Sequence, residues 1–520
     1  MKLRTRHVGL RCAFVALLPG AIVVFLIAVL FGAGPLDFVP IWNDEVVYWN
    51  ETAVFAKAGW GGGYITVHEQ AAELSRFGPH GPAFAVFHGG IGRVFGWHPY
   101  SAFLINLLVI SLAAFVWLRG ASQGPSPAIA LLLASFWPLL LYLPTNMQES
   151  THFAFAFLFS LSLGLRNKRA HGIAIAGTTI LLTSAALMRP SWALMILPLG
   201  WLRARRKGPW AIALLVAATL AIVAVAYKAF ALLASSGYPN SLNRLSDAWA
   251  VSVTGAVGMV GDMFIANLLR WFGSGEAWPL VAFRYFVVIF IVLLVVRCML
   301  YRPPSHAHRE VLELSLASLL PILAVVLLVG EVESWRDFRV LAPHVLVALL
   351  LLTAHTRWEC WMWAGTLVGL PAYYHEFKEF HSLHFTADRT AIDSMRDSLK
   401  RGVRFIPGAS PWTNTILMHA AQLQYPLLGL PLGIGVSYVL DWSSIPGQIR
   451  SEYLLLRPED QVSLAGRARL IPVSETPLGM VYRNERFGSA RPTEKVGWRP
   501  SQVPFLPPPP HSQGELRIVP

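Results

Sequence analysis

The feature that most constrains this chain is the recurrence of apolar runs about 20 residues long with few charges inside them. A helix rises roughly 1.5 Å per residue, so one such run crosses about 30 Å of hydrocarbon. The clearest runs cover 10–31, 101–118, 128–143, 209–233, 280–300, 311–329 and 338–354. Shorter or more polar runs cover 151–165, 172–188, 191–202 and 358–373, the third interrupted by Pro198. Together they predict an α-helical polytopic membrane protein with about 11 transmembrane helices. Composition agrees, because only 14% of residues are charged, against roughly 25% in a soluble domain.

Alternating the spans places every basic cluster on the side of the N-terminus. Lys2, Arg4, Arg6 and Arg11 are followed there by Arg119, by Arg166, Lys168 and Arg169, and by Arg203, Arg205, Arg206 and Lys207. Arg297, Arg302, Arg309 and Arg357 complete the set. Lys and Arg collect in cytoplasmic loops, so the expectation is a multi-pass protein of the plasma (inner) membrane with its N-terminus inside. The net charge of +13 then reflects topology and contact with anionic membrane lipids rather than nucleic acid. Cys12, Cys298 and Cys360 fall at expected cytoplasmic helix ends, where thiols stay reduced. The first thirty residues lack a small-x-small cleavage site and read as an uncleaved span.

This topology exports four segments: 34–98, 145–150, 235–278 and 330–337. The first is long and acidic. In it Asn43 reads as an N-cap for a helix carrying Val47, Val54 and Phe55 and ended by Gly61–Gly63; a second helix opens at Pro82. Both have the composition of interfacial helices. Three domains are expected: a membrane domain over 1–373 that includes loop 34–98, an exported α/β domain over 374–487, and a Pro-rich disordered tail over 488–520. In the second, 403–406, 453–456, 468–472 and 479–482 read as strands and 413–424 as a helix.

The stretch Pro40-Ile41-Trp42-Asn43-Asp44-Glu45 lies just beyond the first span. It resembles the acidic motif of the GT-C glycosyltransferases, the membrane class that includes protein mannosyltransferases and aminoarabinose transferases. Gly78-Pro79-His80-Gly81-Pro82 and the helix after it match the His- and Pro-containing stretch of that class. The resemblance covers the membrane part and implies a cell-envelope enzyme, a hexosyl- or pentosyltransferase. Its donor would be a polyprenyl-phosphate-linked sugar, its acceptor a hydroxyl of a glycan, lipid or protein, and its mechanism inverting.

The residues allow that chemistry. An acceptor hydroxyl attacking a sugar C1 needs a carboxylate base, and a departing phosphate needs cations. Asp44 fits the base, and Glu45 beside it is a catalytic candidate that orients the site or assists a metal. The plainer reading of Asp44 and Glu45 is a helix start stabilised by first-turn carboxylates. Glu149, in the second exported turn, is a further catalytic candidate that orients the acceptor or binds a metal with Asp44. Arg336 and Arg339, in the last exported segment and at the helix end beyond it, carry guanidinium forks suited to phosphate oxygens. Arg189, followed by Pro190, is a second phosphate candidate, and His80 a third through its imidazole. Headgroup anchoring competes for the arginines, and a structural role for His80. His68, Glu69 and Glu73 have helical spacing but form a weak metal motif. A divalent cation is the one cofactor left open. A multi-pass transporter or lipid flippase is the alternative function, but transporters concentrate charges near the midplane, where Lys228 is the main basic residue. A non-catalytic assembly protein is a third reading.

Overall fold

The computed structural model describes residues 2–59, 65–69, 77–78, 80–120, 125–164, 171–234, 247–272, 278–300, 306–323, 339–355, 367, 370–404, 406, 411–430, 434–445, 448–464 and 466–485. Arg336, Glu73, Cys360 and the expected tail therefore lie outside the described residues. The chain is mostly helical and divides into two compact units.

The first unit comprises 1–39, 100–230 and 239–387. Among its described residues three helices are long and apolar enough to cross a membrane: Val8–Phe31, Ser101–Gly120 and Pro209–Phe230. In Pro209–Phe230 only 11% of the most apolar window is buried within the protein, and Trp210, Leu214 and Val225 are open to the surroundings. Such continuous apolar surface needs lipid around it, and the chain is a membrane protein. The expected run 128–143 is broken into Pro127–Ser135 and Trp137–Tyr142. Pro138 lacks the N–H that would continue the ladder, and its ring crowds the preceding turn. The loop expected over 235–278 contains a helix, Val253–Phe272, whose glycines and Asp262 dilute its hydropathy. Helix Glu149–Gly164 packs on Ser101–Gly120 and on Ala342–His355, with Phe153, Phe157 and Phe159 buried. The helix Leu370–Thr386 runs through the expected domain boundary at 373 without a break.

The second unit gathers 40–99, 231–238 and 388–520. It is built on one six-stranded sheet of order β1-β3-β2-β4-β6-β5. The strands are β1 Ile65–Val67, β2 Thr415–His419, β3 Gly435–Val439, β4 Tyr453–Leu456, β5 Leu470–Thr476 and β6 Gly479–Asn484. β1 to β4 pair in parallel, while β6 is antiparallel to β4 and β5. β1 comes from the long first loop and pairs Ile65 with Val436. Two expectations fail here. Within 413–424, expected as one helix, residues 415–419 form β2, because Ile416 and Met418 are buried on one face and Leu417 on the other. A strand covered on both faces reads as a continuous apolar run that periodicity does not separate from a buried helix. The expected strand at 403–406 is irregular at its described residues, following helix Arg389–Gly402.

Helix Asn43–Ala58 belongs to the core of this unit. Val46 and Val47 pack with Ile65, Val67, Ile416, Met418 and Val436 on one face of the sheet. Asn50 donates its side-chain amide to the Leu427 carbonyl at 3.0 Å. That anchoring fixes the rotation of the helix and therefore the direction in which its acidic first turn points.

Candidate functional site

In the second unit the candidate residues gather at the start of helix Asn43–Ala58. Its N-cap is Trp42, one residue before the expected Asn43. Glu45 is fully buried, and its Oε2 accepts the N–H groups of Ile41 at 3.2 Å and Trp42 at 3.1 Å. Its carboxylate closes the helix start. Asp44 is the half-buried member of the pair. Its Oδ1 lies 3.5 Å from Nε2 of His80, with side-chain exposures of 30% and 24%, so both groups remain open to a substrate.

His80 is held by its turn. The Gly81 N–H donates to the Gly78 carbonyl at 3.0 Å, and Gly81 has φ +75°, where a side chain would be strained. The Gly78 N–H donates to Oε1 of Glu51, and a Cβ at Gly78 would stand 2.6 Å from that oxygen. Tyr48 supports the imidazole from below, ring centroids 4.8 Å apart. Asp44, Tyr48 and Glu51 are spaced i, i+4, i+7, on one helix face.

Glu51 is a residue the sequence reading missed, although that spacing could have found it. Burial pushes its carboxyl up to about 7, against the opposing pull of the Gly78 N–H and His80. Below pH 4.5 it is protonated folded and unfolded alike. As pH rises from about 4.5 to 7 the unfolded chain releases the proton while the folded one keeps it, so stability falls across that window and flattens above it. Thermal unfolding of the purified protein should show this slope, on the order of 3 kcal/mol in total, and Glu51→Gln should flatten it. An unchanged slope in Glu51→Gln would place the titration elsewhere.

In the first unit Glu149, Arg189 and Arg339 come together. Pro144 ends the preceding helix, and the turn after it is pinned by Asn106, whose amide donates to the carbonyls of Leu143 at 3.2 Å and Thr145 at 2.7 Å. Glu149 then opens helix Glu149–Gly164 with its side chain 3% exposed. Arg189 stands at the end of helix His171–Met188. Pro190 forces it into extended backbone, φ −147° and ψ 112°, and Nη2 reaches Oε1 of Glu149 at 3.2 Å. Nε of Arg339 lies 3.6 Å from the same oxygen, and its Nη1 contacts Sδ of Met147 at 3.2 Å.

Three further side chains complete this cluster: His152, Trp192 and His344, all buried. The Trp192 indole donates to Nδ1 of His152 at 3.0 Å and lies 4.4 Å from the His344 ring. His152 is i+3 from Glu149, and Trp192 is i+3 from Arg189, so helical spacing was the available signal. Two guanidiniums around one carboxylate bring together donors suited to an oxyanion.

The metal candidates fare differently. The Glu69 carboxylate is engaged by the N–H groups of Arg450 and Ser451 and the Ser451 hydroxyl. His68 and Glu69 sit at positive φ, not in a helix. Among the described residues, His375, Glu376 and Glu379 have ligand atoms within 4.8 Å of one another, but His375 and Glu379 are exposed and paired together at 3.8 Å. Asp44 and Glu149 belong to different units.

No protein-family model matches the chain, and no curated protein matches it. Among solved structures it is similar to ArnT from Cupriavidus metallidurans. The structure bound to undecaprenyl phosphate is 15% identical, with 89% of this chain and 97% of that one covered and a TM-score of 0.39. The apo structure is 16% identical, with 91% and 98% covered and the same TM-score of 0.39. At that score neither structure assigns a role to any residue here, and roles rest on this chain's own side chains.

Proposed function

We propose that the chain is a glycosyltransferase that moves a sugar from a polyprenyl-phosphate donor to an acceptor hydroxyl on the outer face of the membrane, with inversion at C1. The observation that carries this reading is the pair of half-buried arginines, Arg189 and Arg339, around the buried Glu149. Asp44 takes the acceptor proton, the acceptor oxygen bonds to C1, and the C1–O bond to phosphate breaks. Charge grows on the departing lipid phosphate, and Arg189 and Arg339 stabilise it where it forms. Glu45 holds the helix start and so aims Asp44, while His80 orients the carboxylate. Arg336 joins the phosphate contacts in this reading. Glu149 holds both arginines in position.

The proposed topology has eleven spans, the N-terminus inside and the C-terminal domain exported. Two observations support it. β1, from the first expected exported loop, is a strand of the C-terminal sheet, which requires the two to share a side. Glu149, Arg189 and Arg339 come from three separate helix ends, each assigned by the alternation to the exported face. Reporter fusions at Gly172 and Gly402 should therefore report opposite sides, and a shared side would overturn the span count. For the reaction, a deletion strain should accumulate the lipid-phosphate sugar and lose one glycan modification. Unchanged lipids and glycans would contradict the assignment.

A further inference from the structure

The cluster around Glu149 holds groups that the proposed transfer leaves unused. Trp192 donates to Nδ1 of His152. An indole N–H only donates, so Nδ1 carries the lone pair and the ring proton is on Nε2. That Nε2–H is buried and has no acceptor among the described residues. Oε2 of Glu149 and Nδ1 of His344 are likewise buried without a partner. Leaving such a group unpaired is destabilising, and buried unsatisfied groups are few in a native domain. Three of them beside two guanidiniums mark a place built for something other than packing.

The chemistry narrows the ligand. A nitrogen that carries its proton has no lone pair for a metal ion, and the other nitrogen is taken by Trp192. The Nε2–H therefore needs an acceptor. Arg189 and Arg339, both held against Glu149, also only donate and carry positive charge. An acceptor-rich anion satisfies all three donors, and phosphate offers oxygens in several directions. His152 follows Glu149 by one helical turn, so the same helix carries the arginine counter-charge and the additional donor.

We propose that His152 binds the donor phosphate through its Nε2–H as a third ligand beside Arg189 and Arg339, with Trp192 a positioning residue that fixes the tautomer. This rests on the glycosyltransferase reading above, and the ligand is the phosphate of a lipid rather than free phosphate.

The test uses the full chain in nanodiscs with three probes: a short-chain polyprenyl monophosphate, the polyprenol of equal length, and inorganic phosphate. His152→Asn keeps an acceptor for Trp192 but places no donor at the Nε2 position, whereas the Gln amide in His152→Gln reaches it. Wild type should prefer the lipid phosphate to the alcohol. His152→Asn should lose about tenfold or more in lipid-phosphate affinity, the size of one hydrogen bond to a charged group, with polyprenol binding unchanged. His152→Gln should stay within about threefold. Dephasing of an imidazole N–H signal by ligand phosphorus, in solid-state NMR of wild type with ¹⁵N-labelled histidine, checks the contact without a variant. The signal should vanish in His152→Gln.

Wild-type affinity in a folded His152→Asn, or no dephasing in wild type with bound lipid phosphate, would overturn the His152 assignment and leave the function standing. Equal binding of phosphate and alcohol by wild type, with Arg189→Ala neutral, would remove the donor-phosphate reading itself. Inorganic phosphate binding as tightly as the lipid form would overturn the lipid assignment.

Discussion

Asp44→Asn is expected to lower sugar transfer at least a hundredfold while the protein still folds and binds its donor. Asparagine matches aspartate in size and still offers an oxygen to His80, which lies 3.5 Å from the carboxylate. It cannot take a proton. General-base catalysis is worth about 10² to 10⁴ in rate. Glu45→Gln separates the roles. The Glu45 carboxylate accepts two backbone N–H groups at the helix start, so its loss should weaken folding by about 0.5–2 kcal/mol, as other cap losses do, with a smaller effect on rate. Single-turnover transfer and thermal unfolding on the same preparations distinguish them. Near wild-type transfer by folded Asp44→Asn would refute the base assignment, and loss of folded protein would give Asp44 a structural role.

The second large effect concerns Glu149. Glu149→Ala leaves Arg189 and Arg339, 14% and 24% exposed, without the carboxylate between them. Removing one partner of a buried ion pair costs about 3–5 kcal/mol because the other charge stays desolvated. The double variant Glu149→Ala/Arg189→Ala should be less destabilised than the two single losses added, since Arg339 alone, rather than both arginines, is then left without the carboxylate. Arg339→Ala, at the longer distance and greater exposure, should cost less stability and mainly raise the donor concentration needed for half-maximal transfer. Lysine at position 189 or 339 should rescue only in part, because it lacks the planar fork. Strict additivity of Glu149→Ala and Arg189→Ala would contradict the pairing.

The parts of this molecule legible in sequence are those set by local rules. The apolar runs marked helices such as Pro209–Leu233 to the residue. The pair Arg189-Pro190 announced a helix end with an arginine at it, because proline disfavours helix in the residue before it. Pairing across distant segments was not legible. β1 is three residues long and finds its partner some 370 positions later in β3, a match that depends on the whole second unit folding. β2 was hidden because its two buried faces erase the alternation that identifies a strand. At the candidate site, charge drew attention to Asp44, Glu149, Arg189 and Arg339. Glu51 was passed over as one acid among several in the first loop, and its special state comes from burial beneath the Gly78 turn. His152 and Trp192 look like ordinary core residues until their single hydrogen bond is seen.

The most direct test of the central claim follows a labelled sugar on a polyprenyl-phosphate carrier, added to membranes from the deletion strain together with purified wild-type protein or Asp44→Asn. With wild type the label should leave the carrier, free polyprenyl phosphate should appear in equal amount, and the sugar should be found on a membrane or envelope acceptor with inverted anomeric configuration. With Asp44→Asn the carrier should stay loaded. A carrier that stays loaded in the presence of folded wild-type protein, across the polyprenyl-linked sugars those membranes contain, would contradict the assignment of this chain as a glycosyltransferase.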